Sequence, residues 1–129
     1  MKRIVCLLIC VCGYFQLFSQ GVDFKQITLK EALEQAKVQG KMVFVDCYTT
    51  WCGPCKMMHP VLEGLKKQLG ERVKIVKIDI DSPVNRQLVN SYQVQAVPTL
   101  MLFKAGKMVW RQSGAMQATQ IRQVIEKYL

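Results

Sequence analysis

The sequence lacks the features that would divide it into several units. No internal repeat or low-complexity segment interrupts its 129 residues, a length that suits one compact domain and is too short for two. Acidic residues are scarce, with nine Asp and Glu against 18 Lys and Arg, for a formal net charge of +9. Aromatic residues do not interleave with the scattered lysines, so the charge predicts a solvated basic face and no nucleic-acid partner.

The N-terminal segment lacks the length of a membrane span but has the layout of a secretory signal peptide. A short basic start precedes an apolar run over residues 4–18, which is shorter than the roughly 20 residues that a span needs. Ser19 is small enough for a signal peptidase. We therefore predict a cleaved signal peptide over residues 1–19 and a domain over residues 20–129, periplasmic or secreted. Retention of the segment as a membrane anchor is the alternative.

Too few cysteines remain after that cleavage for a structural disulfide framework. Of the six cysteines, three leave with the signal, and Cys47, Cys52 and Cys55 remain. No fourth cysteine is left for an iron–sulfur cluster, and Lys56 follows Cys55 where covalent haem attachment requires histidine. The three thiols with His59 would make a zinc set, but Cys47 falls in a predicted strand, and zinc sites usually join two separate knuckles. We predict no metal and no other cofactor, and His59 as a surface helix residue.

Hydrophobic periodicity predicts helices alternating with strands. Thr28 and Glu31 form a capping box at the first helix start. The predicted elements are a helix ending at Gly40, a strand over 42–45, a helix from Pro54 to Gly70 kinked at Pro60, a strand over 73–79, a short helix starting at 81–83, strands over 99–103 and 108–112, and a final helix with an apolar stripe over 121–128. Alternation followed by a hairpin indicates an α/β fold with a mixed central sheet and helices on both faces.

Cys52 and Cys55 have the spacing that thiol–disulfide exchange needs. One thiolate attacks a disulfide sulfur, and a second thiol one helical turn away resolves the mixed disulfide. A free cysteine has a pKa of about 8.5, so only roughly 3% is thiolate at pH 7. Free N–H groups and the dipole at a helix start favour the anion. We therefore expect an exposed Cys52 sulfur, held anionic by the helix that Pro54 begins.

Residues 45–56, which read VDCYTTWCGPCK, resemble the strand and active-site turn of the thioredoxin family. Pro60 falls where that family kinks its long helix, and residues 97–99 resemble its cis-proline segment. Gly106 and Gly114 fall at family glycine positions. The resemblance covers essentially the whole chain after the signal segment and implies a thioredoxin fold.

The resemblance also implies catalytic roles. Cys52 would be the attacking thiol and Cys55 the resolving one. Asp46 lies at the family's buried-aspartate position and would accept a proton when Cys55 is activated. Lys77 matches the lysine near that carboxylate. The sequence departs from the family at Cys47, where a bulky aromatic is common; we interpret Cys47 as a small core residue, with a regulatory thiol as the alternative.

The same resemblance implies a substrate-binding surface. Trp51 would shield the cysteines, Gly53 and Pro54 would form the turn between them, and Pro98 would hold a cis bond beside the disulfide. Val97 would offer backbone groups to an extended substrate.

The implied function is a thiol–disulfide oxidoreductase that reduces disulfides in exported proteins. Such a protein needs an upstream electron donor, for which the membrane is a candidate location, and we expect a monomer. Two alternatives stay open: a disulfide oxidant or isomerase, and a thioredoxin-fold binding module with incidental thiols. Tyr48 and Thr50 vary the surface near the cysteines, so the choice of partner is open.

Overall fold

The structure is a computed structural model that describes residues 28–129. The predicted signal peptide and its cleavage site lie outside these residues. No helix within residues 28–129 is long and apolar enough to cross a membrane.

The described residues form helices and strands in the predicted order. The elements are α1 (Leu29–Gln39), β1 (Met42–Tyr48), α2 (Gly53–Leu69), β2 (Val73–Asp79), α3 (Arg86–Ser91), β3 (Thr99–Lys104), β4 (Lys107–Ser113) and α4 (Ala118–Tyr128), with short 3-10 turns at Gly70–Arg72 and Pro83–Asn85. The capping box of Thr28 and Glu31 is present, and Gly40 ends α1 in the left-handed region at φ 66°, where glycine carries no Cβ penalty.

The strands form one mixed sheet in the order β2-β1-β3-β4. β1 pairs with β2 in parallel and with β3 in antiparallel orientation, and β4 completes the hairpin with β3. The predicted thioredoxin fold, a mixed sheet between layers of helices, is confirmed. The continuous apolar run in β1 follows from this central position, since both faces of the strand are buried.

Alternate residues of β1 face two separate hydrophobic layers. Phe44 packs with buried residues of α2 and α4 on one face. Val45 and Cys47 pack with α1 on the other, where Leu88 and Val89 of α3 also lie. Asp46 alternates with Val45 and Cys47, so it falls on the α2 side of the sheet.

The helix predicted to start at residues 81–83 begins later, because side chains hold its first residues in a turn. The Asp79 carboxylate accepts the Asp81 N–H at 3.0 Å, and the Asn85 amide donates to the Asp79 carbonyl at 2.8 Å. A 3-10 turn begins at Pro83, and the α-helical residues follow from Arg86. This turn places the Asp81 carboxylate within hydrogen-bond distance of the Trp51 indole.

Candidate active site

The cysteine pair lies where β1 leaves the sheet and α2 begins. Cys52 is the N-cap of α2, and Pro54 occupies the first turn, where its missing N–H is not needed. The Cys55 backbone N–H donates to the Cys52 Sγ at 3.2 Å. The predicted helix start is therefore confirmed, and a backbone donor is aimed at the sulfur.

Cys52 and Cys55 form a disulfide with a Cα–Cα distance of 5.2 Å. Only 5% of Cys52 is exposed and Cys55 is fully buried, so our expectation of an exposed Cys52 sulfur is wrong for this state. The physical reason is that the sulfur turns back over the helix start, toward the Cys55 N–H and the Cys55 sulfur. A partner must therefore approach the Cys52 sulfur at the protein surface, where only a small part of the residue is accessible.

Asp46 is a buried carboxyl without a hydrogen-bond partner. It is 0% exposed, and neither of its oxygens is bonded by any residue among 28–129. Burial raises the pKa of Asp46 from 3.8 to about 6, against the opposing effect of the Lys77 charge. A carboxyl with such a pKa exchanges its proton near neutral pH, as general acid–base chemistry requires.

Lys77 lies opposite Asp46 in the β1–β2 register, as the resemblance implied. Its ammonium forms an ion pair with Glu63 of α2 at 3.6 Å and acts on Asp46 through its charge, without a direct bond. Glu63 could not be identified from the sequence, because nothing in the local pattern marks which helix residue faces a strand lysine.

Trp51 is 70% exposed and is held from one side. Its indole N–H donates to the Asp81 carboxylate at 2.9 Å. Asp81 is a second site residue that sequence analysis missed, since 30 positions separate the two residues. The acidic turn after β2 was the only available signal. Trp51 therefore presents an apolar ring next to the disulfide.

Val97 and Pro98 lie at the same end of the sheet as the cysteines, because Thr99 pairs with Cys47. The Val97–Pro98 bond is cis, which confirms that prediction. The Pro98 carbonyl accepts the Gly114 N–H at 2.8 Å. The fold thus brings residues 97–98 and the turn over 51–55 to one edge of the sheet.

Cys47 is a free, fully buried thiol. Burial raises the pKa of Cys47 to about 12, the Asp46 charge adds to this, and Arg111 opposes it. These surroundings suit a core residue and suppress thiolate formation. His59 is half-buried rather than a plain surface residue, with its ring edge-on to Tyr48 at 5.5 Å. Burial, and next the Lys77 charge, lower the pKa of His59.

The alternative zinc set is not assembled. Cys52 and Cys55 are bonded to each other, and Cys47 packs on the face of β1 opposite α2. Across residues 28–129 no three side chains of the metal-binding types are grouped.

Comparisons of the sequence and of the structure with known proteins both point to one family. A family model described as Thioredoxin matches residues 23–127. Thioredoxin of Bacillus subtilis is 37% identical over 94 residues, which cover 73% of this chain and 88% of that protein. A rice protein named Thioredoxin Y, chloroplastic, is 40% identical over 84% of this chain, but the chain spans only 63% of its length.

Solved structures give the same result. The X-ray structure of Fasciola hepatica thioredoxin superposes with a TM-score of 0.70 at 35% identity, covering 78% of this chain and 91% of that one. At 35% identity the likeness supports membership of the same family as well as the same fold.

Replacement of the buried carboxyl tests its electrostatics. Since the folded-state pKa of Asp46 is about 6 against an ordinary 3.8, the folded state holds this proton more tightly than the unfolded state. The free energy of unfolding should therefore fall by about 3 kcal/mol as pH rises from about 4 through 6. Asp46→Asn should lose that slope and exceed the wild type in stability at pH 8, measured by urea unfolding of the oxidised protein. Glu34→Gln, at an exposed carboxyl of α1, is the control. Parallel pH curves for wild type and Asp46→Asn would contradict the assignment.

Proposed function

Since this chain belongs to the thioredoxin family, we propose that it reduces disulfide bonds in exported proteins. Family members are thiol–disulfide oxidoreductases, and this chain is one of them, with its two active-site cysteines 5.2 Å apart at Cα and joined as a disulfide. The observation that carries the proposal is the position of Cys52 at the N-cap of α2, where its sulfur accepts a backbone N–H.

The reduced protein starts the exchange. The Cys52 thiolate attacks one sulfur of the substrate disulfide, forms a mixed disulfide and expels the other substrate sulfur as a thiolate. Cys55, once deprotonated, attacks the Cys52 sulfur and releases the second substrate thiolate. Two electrons pass to the substrate, and the Cys52–Cys55 disulfide of this structure is the product state.

Asp46 is proposed to accept the proton of Cys55. Its pKa of about 6 leaves it mostly ionised at pH 7 yet basic enough to take a proton transiently. Lys77 keeps the carboxyl from titrating higher, and Glu63 holds the Lys77 ammonium from the side of α2.

The substrate is proposed to lie along the edge formed by Trp51, Gly53 and Pro54 on one side and residues 97–98 on the other. The exposed indole supplies apolar contact area. The backbone groups of Val97 would pair with an extended strand of the partner, as in strand addition.

The reducing direction is proposed from the Gly53-Pro54 dipeptide, which resembles that of reducing thioredoxins. It requires an upstream electron donor to return the disulfide to two thiols. An oxidant or isomerase would use the same cysteines, and equilibration with glutathione separates the two, because an oxidant's potential lies on the order of 100 mV higher.

Cysteine replacement tests the activity. Reduced wild-type protein should accelerate insulin reduction by a chemical dithiol, and Cys52→Ser should remove the acceleration. Cys55→Ser should accumulate covalent mixed disulfides with partner proteins in the native host, detected on non-reducing gels. Cys47→Ala, which changes only a buried thiol outside the exchange pair, is the matched control and should keep the activity. If Cys52→Ser and Cys55→Ser preserved the biological phenotype, the chain would act as a binding module.

Export is tested by the N-terminus of the finished protein. The full chain expressed in a Gram-negative host should appear in the periplasmic fraction or the medium, starting at Gln20 by mass spectrometry. Leu8→Arg, which interrupts the apolar run over 4–18, should hold the chain in the cytoplasm uncleaved. An uncleaved wild-type chain in the membrane fraction would contradict cleavage and support the anchor alternative.

A further inference from the structure

The loop over residues 92–98 joins α3 to β3 and carries Val97 and Pro98. The C-terminal end of the loop is hydrogen-bonded to the sheet. The Thr99 hydroxyl donates to the Ala96 carbonyl at 2.6 Å and lies 3.1 Å from the Ser113 hydroxyl. The Gly114 N–H donates to the Pro98 carbonyl at 2.8 Å. Backbone and hydroxyl groups therefore fix the Pro98 end from both β3 and β4.

At the first end of the loop, the side chain of Arg111 bonds two successive backbone carbonyls. Arg111 of β4 donates from Nη1 to the Tyr92 carbonyl and from Nη2 to the Gln93 carbonyl, the latter at 3.0 Å. These carbonyls follow the last turn of α3, where no helical N–H remains to bond them. One planar guanidinium with two parallel donors sets direction as well as distance.

The backbone at this point needs such support. Gln93 has φ 49°, in the left-handed region that few residues other than glycine adopt. The Gln93 N–H bonds back to Asn90 and the Val94 N–H to Val89, at 3.1 and 3.0 Å, which closes α3. Arg111 adds the two bonds that connect this closed end to the sheet.

The register places Arg111 on the correct face for this contact. It pairs with Met101 of β3, and Met101 and Phe103 belong to the layer in which Tyr92 also packs. The Tyr92 ring meets Phe103 edge-on at 5.6 Å. The Arg111 guanidinium thus reaches from the edge strand β4, over this layer, to the loop.

We propose that Arg111 is a positioning residue for substrate binding, because it fixes the start of the loop whose end presents Val97 and Pro98. The inference rests on the proposed function, which assigns that loop to the substrate edge. Arg111 contacts neither Cys52 nor Cys55, the two residues of the exchange pair. Its effect should therefore appear in recognition of extended protein substrates and not in the intrinsic chemistry of the thiols.

Kinetics with two substrates test this role. Arg111→Ala should raise the KM for insulin about five-fold, since two hydrogen bonds from a charged donor are lost, while kcat changes by less than about two-fold. Reduction of the small disulfide 5,5′-dithiobis(2-nitrobenzoate) should keep the wild-type rate. Arg111→Lys, with one ammonium in place of the fork, should recover part of the KM. Gln112→Ala, an exposed neighbour on β4, is the matched control.

Amide hydrogen exchange of the folded oxidised protein tests the positioning itself. Arg111→Ala should exchange faster at residues 93–97 and at the wild-type rate in α2. Unchanged exchange in the loop, an unchanged KM, or equal losses with both disulfides would each overturn the proposal. Should the wild type fail to reduce insulin, the proposed function fails, and the exchange experiment still decides whether Arg111 fixes the loop.

Discussion

The structure depends on one contact at the start of α2, where a backbone N–H points at the Cys52 sulfur. An N-cap position normally carries a hydroxyl or carboxylate oxygen that accepts such a donor. Here a sulfur accepts it, and in the proposed mechanism the interaction that begins the helix also stabilises the Cys52 anion. Pro54 supports this arrangement because it fills the first turn without needing a hydrogen-bond partner.

A buried charge is the second constraint. Asp46 lies between Val45 and Cys47 in the buried strand β1, and its carboxyl has no hydrogen-bond partner among residues 28–129. An unpaired carboxylate in the core lowers stability, and this is what raises its pKa toward neutrality. The feature that weakens the fold is also the one that supports Asp46 as the proposed proton acceptor, and such trades between stability and function are common.

Local patterns predicted most of the fold. The capping box at Thr28, the apolar run in β1 and the proline at the start of α2 each carry their structural consequence in neighbouring residues, and all of them are confirmed. The resemblance supplied the cis bond before Pro98, which periodicity alone does not predict. The contacts that sequence analysis missed join distant positions: Asp81 to Trp51, Glu63 to Lys77, and Arg111 to the loop after α3. Such pairs depend on register and packing, which no short segment encodes. Burial of Cys52 was missed for a different reason: its sulfur turns back onto Cys55, three residues along the chain, and the sequence pattern does not show that direction.

The central claim is that the helix start keeps Cys52 ionised in the reduced protein, and the pH dependence of its alkylation tests it most directly. Iodoacetamide should be applied to the Cys47→Ala protein after reduction, with the modified residue identified by mass spectrometry. We predict that Cys52 reacts with a midpoint well below the pKa of about 8.5 of a free cysteine, while Cys55 reacts slowly. A midpoint at or above that of a free cysteine would contradict the account.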